Sequence, residues 1–424
     1  MVFSTKSVQA EEIVARCRRI AACTEVAGET TRTFLSQPMH DVHTLLRGWM
    51  EAARMRVTVD AIGNLRGLYP GGPGGSGRLV IASHLDTVPQ AGAFDGILGV
   101  VMGVALVEAL QEERLPFDLE IIGFSEEEGV RFRRPYLGSL ALIGALDEET
   151  LLRTDANGKS VTDAVREFGL DPTRLPEAEL ARDAFGYLEI HIEQGPVLES
   201  EALQLGVVSA ICGQTRLEFT FRGMANHAGT TPMALRRDAL VATALWIIAV
   251  EDYARSVEGL VATVGKVVTR PGVSNAIAGI VTATLDVRHP DNAIRERAAE
   301  RLIAAAAEAA AAKSVHVEHR VNGEQSAVPM DEALTGLLCE AAQRVGLTPR
   351  MMVSGAGHDA MIVAPRLPAA MLFLRSPAGL SHHPDEAVRL DDVQAALATG
   401  LEFLKLIGDD RAGNTGDGGR HADA

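Results

Sequence analysis

The sequence predicts an α/β protein interrupted by a smaller α+β domain, and two patterns carry that expectation. First, short apolar runs at Leu79 to Ser83, Leu119 to Ser125 and Ala369 to Arg375 each end in a polar loop, with helical stretches between them, as buried strands with crossover helices do. Second, Thr215 to Val321 reads in the order β-α-β-β-α-β: strand Thr215 to Arg222, helix Leu235 to Ala254, strands Leu260 to Thr269 and Gly279 to Arg288, helix Asn292 to Lys313, strand Val315 to Val321. This is the ferredoxin-like order, complete within about 110 residues. The expected organisation is a larger domain in two parts, residues 1–212 and 327–408, an inserted domain at 213–326, and a Gly/Asp-rich disordered tail at 409–424.

At 424 residues the chain has room for two or three domains. Its 47% hydrophobic and 23% charged composition is that of a globular enzyme. A formal net charge of -16 without a Lys/Arg block argues against nucleic acid and anionic membrane surfaces and for a small-molecule partner. The first ten residues contain no apolar h-region, and no run reaches the ~18 apolar residues of a membrane span, so a cytoplasmic location is expected. Cys17, Cys23, Cys212 and Cys339 show no CxxC pairing and are too sparse for a disulfide framework or a thiolate zinc site. A metal here has to be held by His and carboxylate.

Taken in order, Ala10 to Ala22, Thr30 to Leu35 and His40 to Ala53 read as helices, with His40 and His43 as surface or capping residues. Val57 to Leu68 and Leu79 to Ser83 read as neighbouring strands joined by a flexible hairpin connection, PGGPGGSG, which lacks the following Lys-Ser/Thr of a phosphate loop. His84 and Asp86 lie two residues apart, so an extended backbone points both the same way. Asp95 follows in a Gly-containing loop. Gly96 to Leu110 is a helix apolar nearly all round, with Gly96, Gly99 and Gly103 allowing close packing. Leu119 to Ser125 is expected beside the first strand, and it runs into Glu126, Glu127 and Glu128. In Tyr187 to Glu193, Leu188, Ile190 and Ile192 alternate with Glu189, His191 and Glu193. The alanine run Ala304 to Ala312 reads as helix propensity alone. Beyond Val328 come a helix at Asp331 to Val345, the Gly355 to Asp359 loop, a helix at Ala360 to Ala364, the strand Ala369 to Arg375, a loop with His382 and His383, and a helix from Leu390 to Ile407.

His84, Asp95, Glu126 to Glu128, His191 and His382 or His383 thus fall at or near strand ends of one α/β domain, where open α/β sheets place their sites. Imidazole and carboxylate without thiolate suit zinc or another first-row divalent ion with an open position for water. One carboxylate between two such groups can bridge a pair of ions. Asp86 suits the role of fixing the His84 tautomer, and a glutamate outside the ligand set would serve as general base.

Six ordered stretches, SHLDTVPQAGAFDGILGV, SEEEGVRF, HIEQGP, GMANHAGTTPM, GAGHDA and GLSHHPDE, together resemble the M20-type metallo-amidohydrolases. The resemblance is to the hydantoinase/carbamoylase branch, which holds N-carbamoyl-L-amino-acid hydrolases, β-ureidopropionases and allantoate amidohydrolases; HIEQGP is the branch-specific stretch. It covers roughly residues 10 to 408. It implies a mixed-sheet, zinc-peptidase-like catalytic domain with an inserted ferredoxin-like lid and dimerisation domain, hence a homodimer. It also implies two divalent ions per chain, zinc, manganese or cobalt. His84 and His191 would hold one ion, Glu128 and His382 the other, and Asp95 would bridge them. Glu127 then resembles the general base and Asp86 the residue that orients His84. His227 is placed to offer an N–H to a developing oxyanion. Arg216, Asn275 and Arg288 resemble the group that grips the substrate carboxylate, and Gln194 and Gly357 would line the same pocket.

The activity implied is hydrolysis of the ureido C–N bond of an N-carbamoyl-L-amino acid to the amino acid, carbon dioxide and ammonia. Allantoate amidohydrolase and β-ureidopropionase share every stretch quoted and stay open as alternatives. From a different class, a small-molecule binding module on an inactive hydrolase scaffold is the competing reading.

Overall fold

The computed structural model describes residues 9–415, and contacts divide it into two compact units. Unit 1 comprises residues 9–209, 330–352 and 358–415 of this span; unit 2 comprises Ala210–Pro329 and Val353–Gly357. The insertion expected at 213–326 thus carries three more residues at each end and a five-residue segment, 353–357, from the later part of the chain.

Strands are numbered in chain order: β1 Arg56–Val59, β2 Leu65–Tyr69, β3 Arg78–His84, β4 Asp118–Phe124, β5 Ala184–Ile192, β6 Leu205–Ile211, β7 Gly213–Arg222, β8 Val261–Arg270, β9 Ile280–His289, β10 His316–Gln325, β11 Val328–Pro329, β12 Arg350–Ser354 and β13 Ala369–Leu374. The large sheet is mixed, in the order β1-β2-β4-β3-β5-β13-β6-β11, with β12 pairing β6. Its centre, β4-β3-β5-β13, is parallel, and β2 and β6 flank it antiparallel. Parallel strands buried on both faces need continuous apolar runs, and β3, β4 and β13 are buried almost throughout. The helix Ile97–Ala109 packs on this centre, buried from Ile97 through Val107. A Cβ on Gly99 would lie 2.1 Å from the Ile190 carbonyl oxygen, so only glycine lets helix and strand approach this closely.

Unit 2 contains one antiparallel sheet, β10-β7-β9-β8, which is the ferredoxin-like arrangement of a β-α-β-β-α-β chain. One face carries the helices Ala239–Ser256 and Asn292–Ala312. Its core joins Leu217, Phe219 and Phe221 of β7 to Trp246 and Leu302, and the Trp246 indole donates to the Leu302 carbonyl at 3.0 Å.

Four local expectations are corrected. Thr30 to Leu35 is not a helix: Thr30 and Arg32 give their carbonyls to the Ala91 and Thr87 amides, and the buried Arg32 guanidinium donates to the carbonyls of Leu85, Ile20 and Cys23. Tertiary partners and three threonines outweigh helix propensity there. Val57 to Leu68 is two strands turning at Asp60, whose carboxylate accepts from the Ile62 and Asn64 amides. The Gly-rich loop is not a hairpin connection, because β4 pairs with both β2 and β3 and separates them. The last helix runs through Thr415, past Ile407 and into the expected tail; Arg411 holds it by lying 3.8 Å over the Phe185 ring and donating to the Ser76 carbonyl. Residues 416–424 of that tail lie outside the described residues.

His43 is buried, not a surface group: its ring meets Phe168 edge-on at 5.5 Å while His40 stacks on the same ring at 3.9 Å. Burial holds the His43 imidazole down at about 4, with the His40 and Arg47 charges adding to the effect. A depressed histidine contributes stability that is complete above pH 6.5 and is lost as pH falls toward 4, roughly 3 kcal/mol over that window. His43→Phe keeps a ring against Phe168 and removes the titration. Urea unfolding at pH 7 and pH 4.5 is therefore expected to show a smaller loss of stability for the variant than for the native chain.

Candidate metal centre

Four parallel strands deliver the site at their carboxyl ends. His84 is the last residue of β3, Glu126, Glu127 and Glu128 follow β4, His191 is the penultimate residue of β5, and His382 lies in the loop after β13. Register holds them level, with His84 opposite Phe124 and His191 opposite Phe373.

Asp95 is the meeting point. Its Oδ1 lies 3.1 Å from His191 Nε2 and 3.5 Å from His84 Nε2, and its Oδ2 lies 3.2 Å from His382 Nε2. Glu128 Oε1 is 3.5 Å from His382 Nε2. Two groups of potential ligand atoms result, His84, Asp95 and His191 on one side and Asp95, Glu128 and His382 on the other; His84, Glu127 and Glu128 form a third, overlapping group.

The hydrogen bonds set the tautomers. His84 Nδ1 donates to the Asp86 carbonyl at 3.0 Å and His191 Nδ1 to the Ile192 carbonyl at 2.9 Å, which leaves both Nε2 atoms as lone pairs. His191 Nε2 also accepts the Gly96 amide at 3.2 Å. The two Nε2 atoms sit 3.5 Å apart and face Asp95 Oδ1, a buried carboxylate oxygen with no hydrogen-bond partner among the described residues. With the imidazoles neutral, these three acceptors turn on one another and need a cation or a proton between them, and the donor chemistry fits a first-row divalent ion. The chain therefore has the residues of a dinuclear divalent-metal site.

The supporting layer is as specific. Asp86 accepts the Glu127 amide at 2.9 Å and the Glu128 amide at 3.1 Å, fixing the turn that presents both carboxylates. Asp95 Oδ2 receives Gln194 Nε2 at 2.9 Å and the Ser381 hydroxyl at 2.8 Å. The Asp95 amide donates to Glu386 Oε1 at 3.0 Å, across 291 residues of sequence. Gly96 adopts φ 67°, and a Cβ there would lie 2.5 Å from the His84 ring.

Charge is lopsided before any cation enters. Burial pushes the Asp95 carboxyl up, but hydrogen bonds from His191, His382 and His84 outweigh it and hold the group well below the carboxylate range. Burial and then the Glu128 charge push Glu127 well above its ordinary value, and burial with Asp95 pushes Glu128 up to about 7. The Asp95 hydrogen bond takes His382 up to about 9. Protons occupy what cations would occupy, so metal uptake is coupled to proton release.

Among the remaining sequence-derived residues, His383 is turned away, its Nδ1 accepting the Asp385 amide. His227, Asn275, Arg216, Arg288 and Gly357 lie in unit 2. There four of them form two pairs. His227 Nδ1 accepts the Gly229 and Thr230 amides at 3.0 and 3.2 Å, which places the ring proton on Nε2, and the Asn275 carbonyl accepts the adjacent Ala228 amide. Arg216 and Arg288 share the Asp286 carboxylate. Sequence reasoning missed Ser381 and Glu386, although both stand in the GLSHHPDE stretch, because only its histidines were weighed as functional groups. It also missed His358, whose buried ring meets His191 edge-on at 4.6 Å.

Residues 80–406 match the peptidase family M20/M25/M40. Allantoate deiminase 2 of Glycine max is 37% identical over 434 aligned residues, covering 94% of this chain and 89% of that protein. An N-carbamoyl-L-amino acid amidohydrolase of Geobacillus stearothermophilus is 36% identical, covering 89% and 92%. The crystal structure of a hydantoinase/carbamoylase family amidase from Burkholderia multivorans superposes with a TM-score of 0.89 at 30% identity, covering 95% of this chain and 98% of that one.

Gly96→Ala is expected to displace the His84 ring. Metal retained per chain after dialysis, measured by plasma mass spectrometry, should fall clearly below that of the native protein, whereas Gly48→Ala, where an added Cβ meets nothing within 4 Å and φ is not positive, should retain the native amount.

Proposed function

Because the chain belongs to the peptidase family M20/M25/M40, in its hydantoinase/carbamoylase branch, and is a metal-dependent hydrolase of ureido C–N bonds, we propose that its substrate is allantoate. The observation that supports this choice is identity: allantoate deiminases of Glycine max and Arabidopsis thaliana are 37% to 38% identical to this chain, against 35% to 36% for the N-carbamoyl-L-amino acid amidohydrolases of Geobacillus stearothermophilus and Paenarthrobacter aurescens. It moves the reading from the N-carbamoyl-L-amino acid expected at first to the alternative kept beside it. The N-carbamoyl-L-amino acid remains the second reading, favoured by the comparable identity of the Geobacillus protein.

His84, Asp95 and His191 would hold one ion, and Asp95, Glu128 and His382 the other. Bound there, zinc, manganese or cobalt supplies Lewis-acid polarisation of the ureido carbonyl and acidifies water. Glu127 stands outside both groups and is buried. As general base it takes the proton of the attacking water and returns it to the departing nitrogen, so that a ureido group and one water give an amine, carbon dioxide and ammonia. Asp86 positions Glu127 through its amide and His84 through its ring. His227 offers Nε2–H to the oxyanion. Arg216, Asn275 and Arg288 hold the substrate carboxylate, with Gln194 and Gly357 as further pocket residues.

A homodimer through unit 2 accompanies this reading. The helix Ala239–Ser256 exposes Val241, Leu245 and Ile248 at helical spacing, and the edge strand β8 exposes Val261, Val267 and Val268. An apolar stripe on an edge strand and its covering helix is suited to a twofold contact. Light scattering should give a mass near twice 45.0 kDa for the native chain, and Ile248→Glu should give a monomer.

Ammonia release by manganese- or zinc-loaded protein is expected to be fastest from allantoate within a panel that includes N-carbamoyl-L-amino acids and β-ureidopropionate, and to vanish with chelator. Faster turnover of an N-carbamoyl-L-amino acid would replace the first reading by the second. Glu127→Gln should lower kcat by about 10²- to 10⁴-fold with metal content unchanged; retained turnover would remove Glu127 from the role of base.

A further inference from the structure

Unit 2 contains a cavity of about 660 Å³ lined by Arg216, Asp286 and Arg288 together with uncharged residues that include Cys212, Thr263 and Asn322. The three charged side chains lie on the sheet face opposite the helices. Arg216 of β7 stands directly across from Asp286 of β9, and Gln214 from Arg288. Four polar side chains therefore form a two-by-two patch on neighbouring strands.

Asp286 is tied down within that patch. Its Oδ1 accepts Arg288 Nε at 3.0 Å; its Oδ2 accepts Gln214 Nε2 at 2.7 Å, Arg288 Nη2 at 3.1 Å and Arg216 Nε at 3.4 Å. Three donors converge on Oδ2 and one engages Oδ1, so the carboxylate is held by both arginines and Gln214, and an incoming anion gains little by displacing it. Arg288 Nη1 is further tied to the Gly355 carbonyl at 2.6 Å. Arg216 is engaged through Nε alone and keeps its terminal nitrogens for a ligand, with its side chain 59% exposed. Two guanidiniums and one fixed carboxylate leave the lining with a net charge of +1.

We propose that Asp286 is a specificity-determining residue: it sets the charge of the carboxylate subsite to that of one anion, so that the site takes monoanionic ureido acids and rejects dianionic ones. This rests on the reading that Arg216 and Arg288 receive the substrate carboxylate. A ligand with one carboxylate neutralises the clamp through the Arg216 fork, which Asp286 aims. A second carboxylate on the ligand finds no unmatched cation and faces Asp286, and like-charge juxtaposition of this kind discriminates by well over tenfold.

The test compares two nearly isosteric probes, N-carbamoyl-L-asparagine and N-carbamoyl-L-aspartate, by calorimetric titration of metal-loaded protein in a Glu127→Gln background that suppresses hydrolysis. With Asp286 intact, Kd for the asparagine derivative is expected to be at least about tenfold lower than for the aspartate derivative. Equal affinities overturn the proposal without any change at position 286. Asp286→Asn, with Asp286→Ala as a second variant, is expected to abolish or reverse that ratio; a ratio unchanged in a folded variant overturns it. Arg288→Gln and Arg216→Gln test the underlying reading separately. Unchanged Kd for both probes in these variants removes the carboxylate subsite itself, whereas weakened binding there with an unaltered ratio in the Asp286 variants removes only the role of Asp286.

Discussion

The architecture of unit 1 depends on one buried carboxylate that three imidazoles approach. Asp95 and its neighbours place more negative charge and more lone pairs in the protein interior than internal partners can satisfy. Leaving a charge buried and uncompensated costs several kcal/mol, so such a cluster persists only because a cation or a proton completes it. Protons do so at a cost visible in the same groups: Glu127 and Glu128 are driven up and His382 is driven to about 9. Divalent ions held by His84, Asp95, His191, Glu128 and His382 would satisfy those groups at once.

The fold keeps this arrangement from collapsing on itself. Parallel register sets His84 and His191 at one level, and carbonyls of their own strand ends hold both Nδ1 protons. Gly96 then brings the backbone under the His84 ring where any side chain would collide. Glu386 reaches back to the Asp95 amide from the far end of the chain, and Asp86 ties down the Glu127 and Glu128 amides. Orientation of the ligand atoms is thus decided by groups that touch no ion. Their removal is felt as metal affinity rather than as loss of the fold, in the way supporting shells of metal sites behave.

Much of this was legible in the sequence, for reasons that differ by element. Buried parallel strands must be apolar without interruption, so β3, β4 and β13 were visible as runs, and β-α-β-β-α-β order predicted the unit 2 sheet because that order has one compact solution. Site residues were visible where polarity was out of place: a triplet of glutamates ending an apolar strand, a histidine between apolar neighbours in β5. What escaped was held by tertiary partners alone. Thr30 to Leu35 has helical-looking composition, but its carbonyls belong to the Thr87 and Ala91 amides. The insertion of β4 between β2 and β3 leaves no local mark, and neither does the role of Glu386, which accepts the amides of Phe94 and Asp95, 292 and 291 residues away. The substrate was the least legible feature, since every ureido acid asks the same groups for the same chemistry and differs only in what surrounds its carboxylate.

The two units answer that problem with opposite charge. Unit 1 gathers the carboxylates of Asp95, Glu127 and Glu128, whereas the unit 2 cavity, with two arginines and one aspartate, is cationic without any added ion. That local sign differs from the formal net charge of -16, because the potential in a cavity is set by the few charges within a Debye length of it rather than by distant, solvent-screened surface charge.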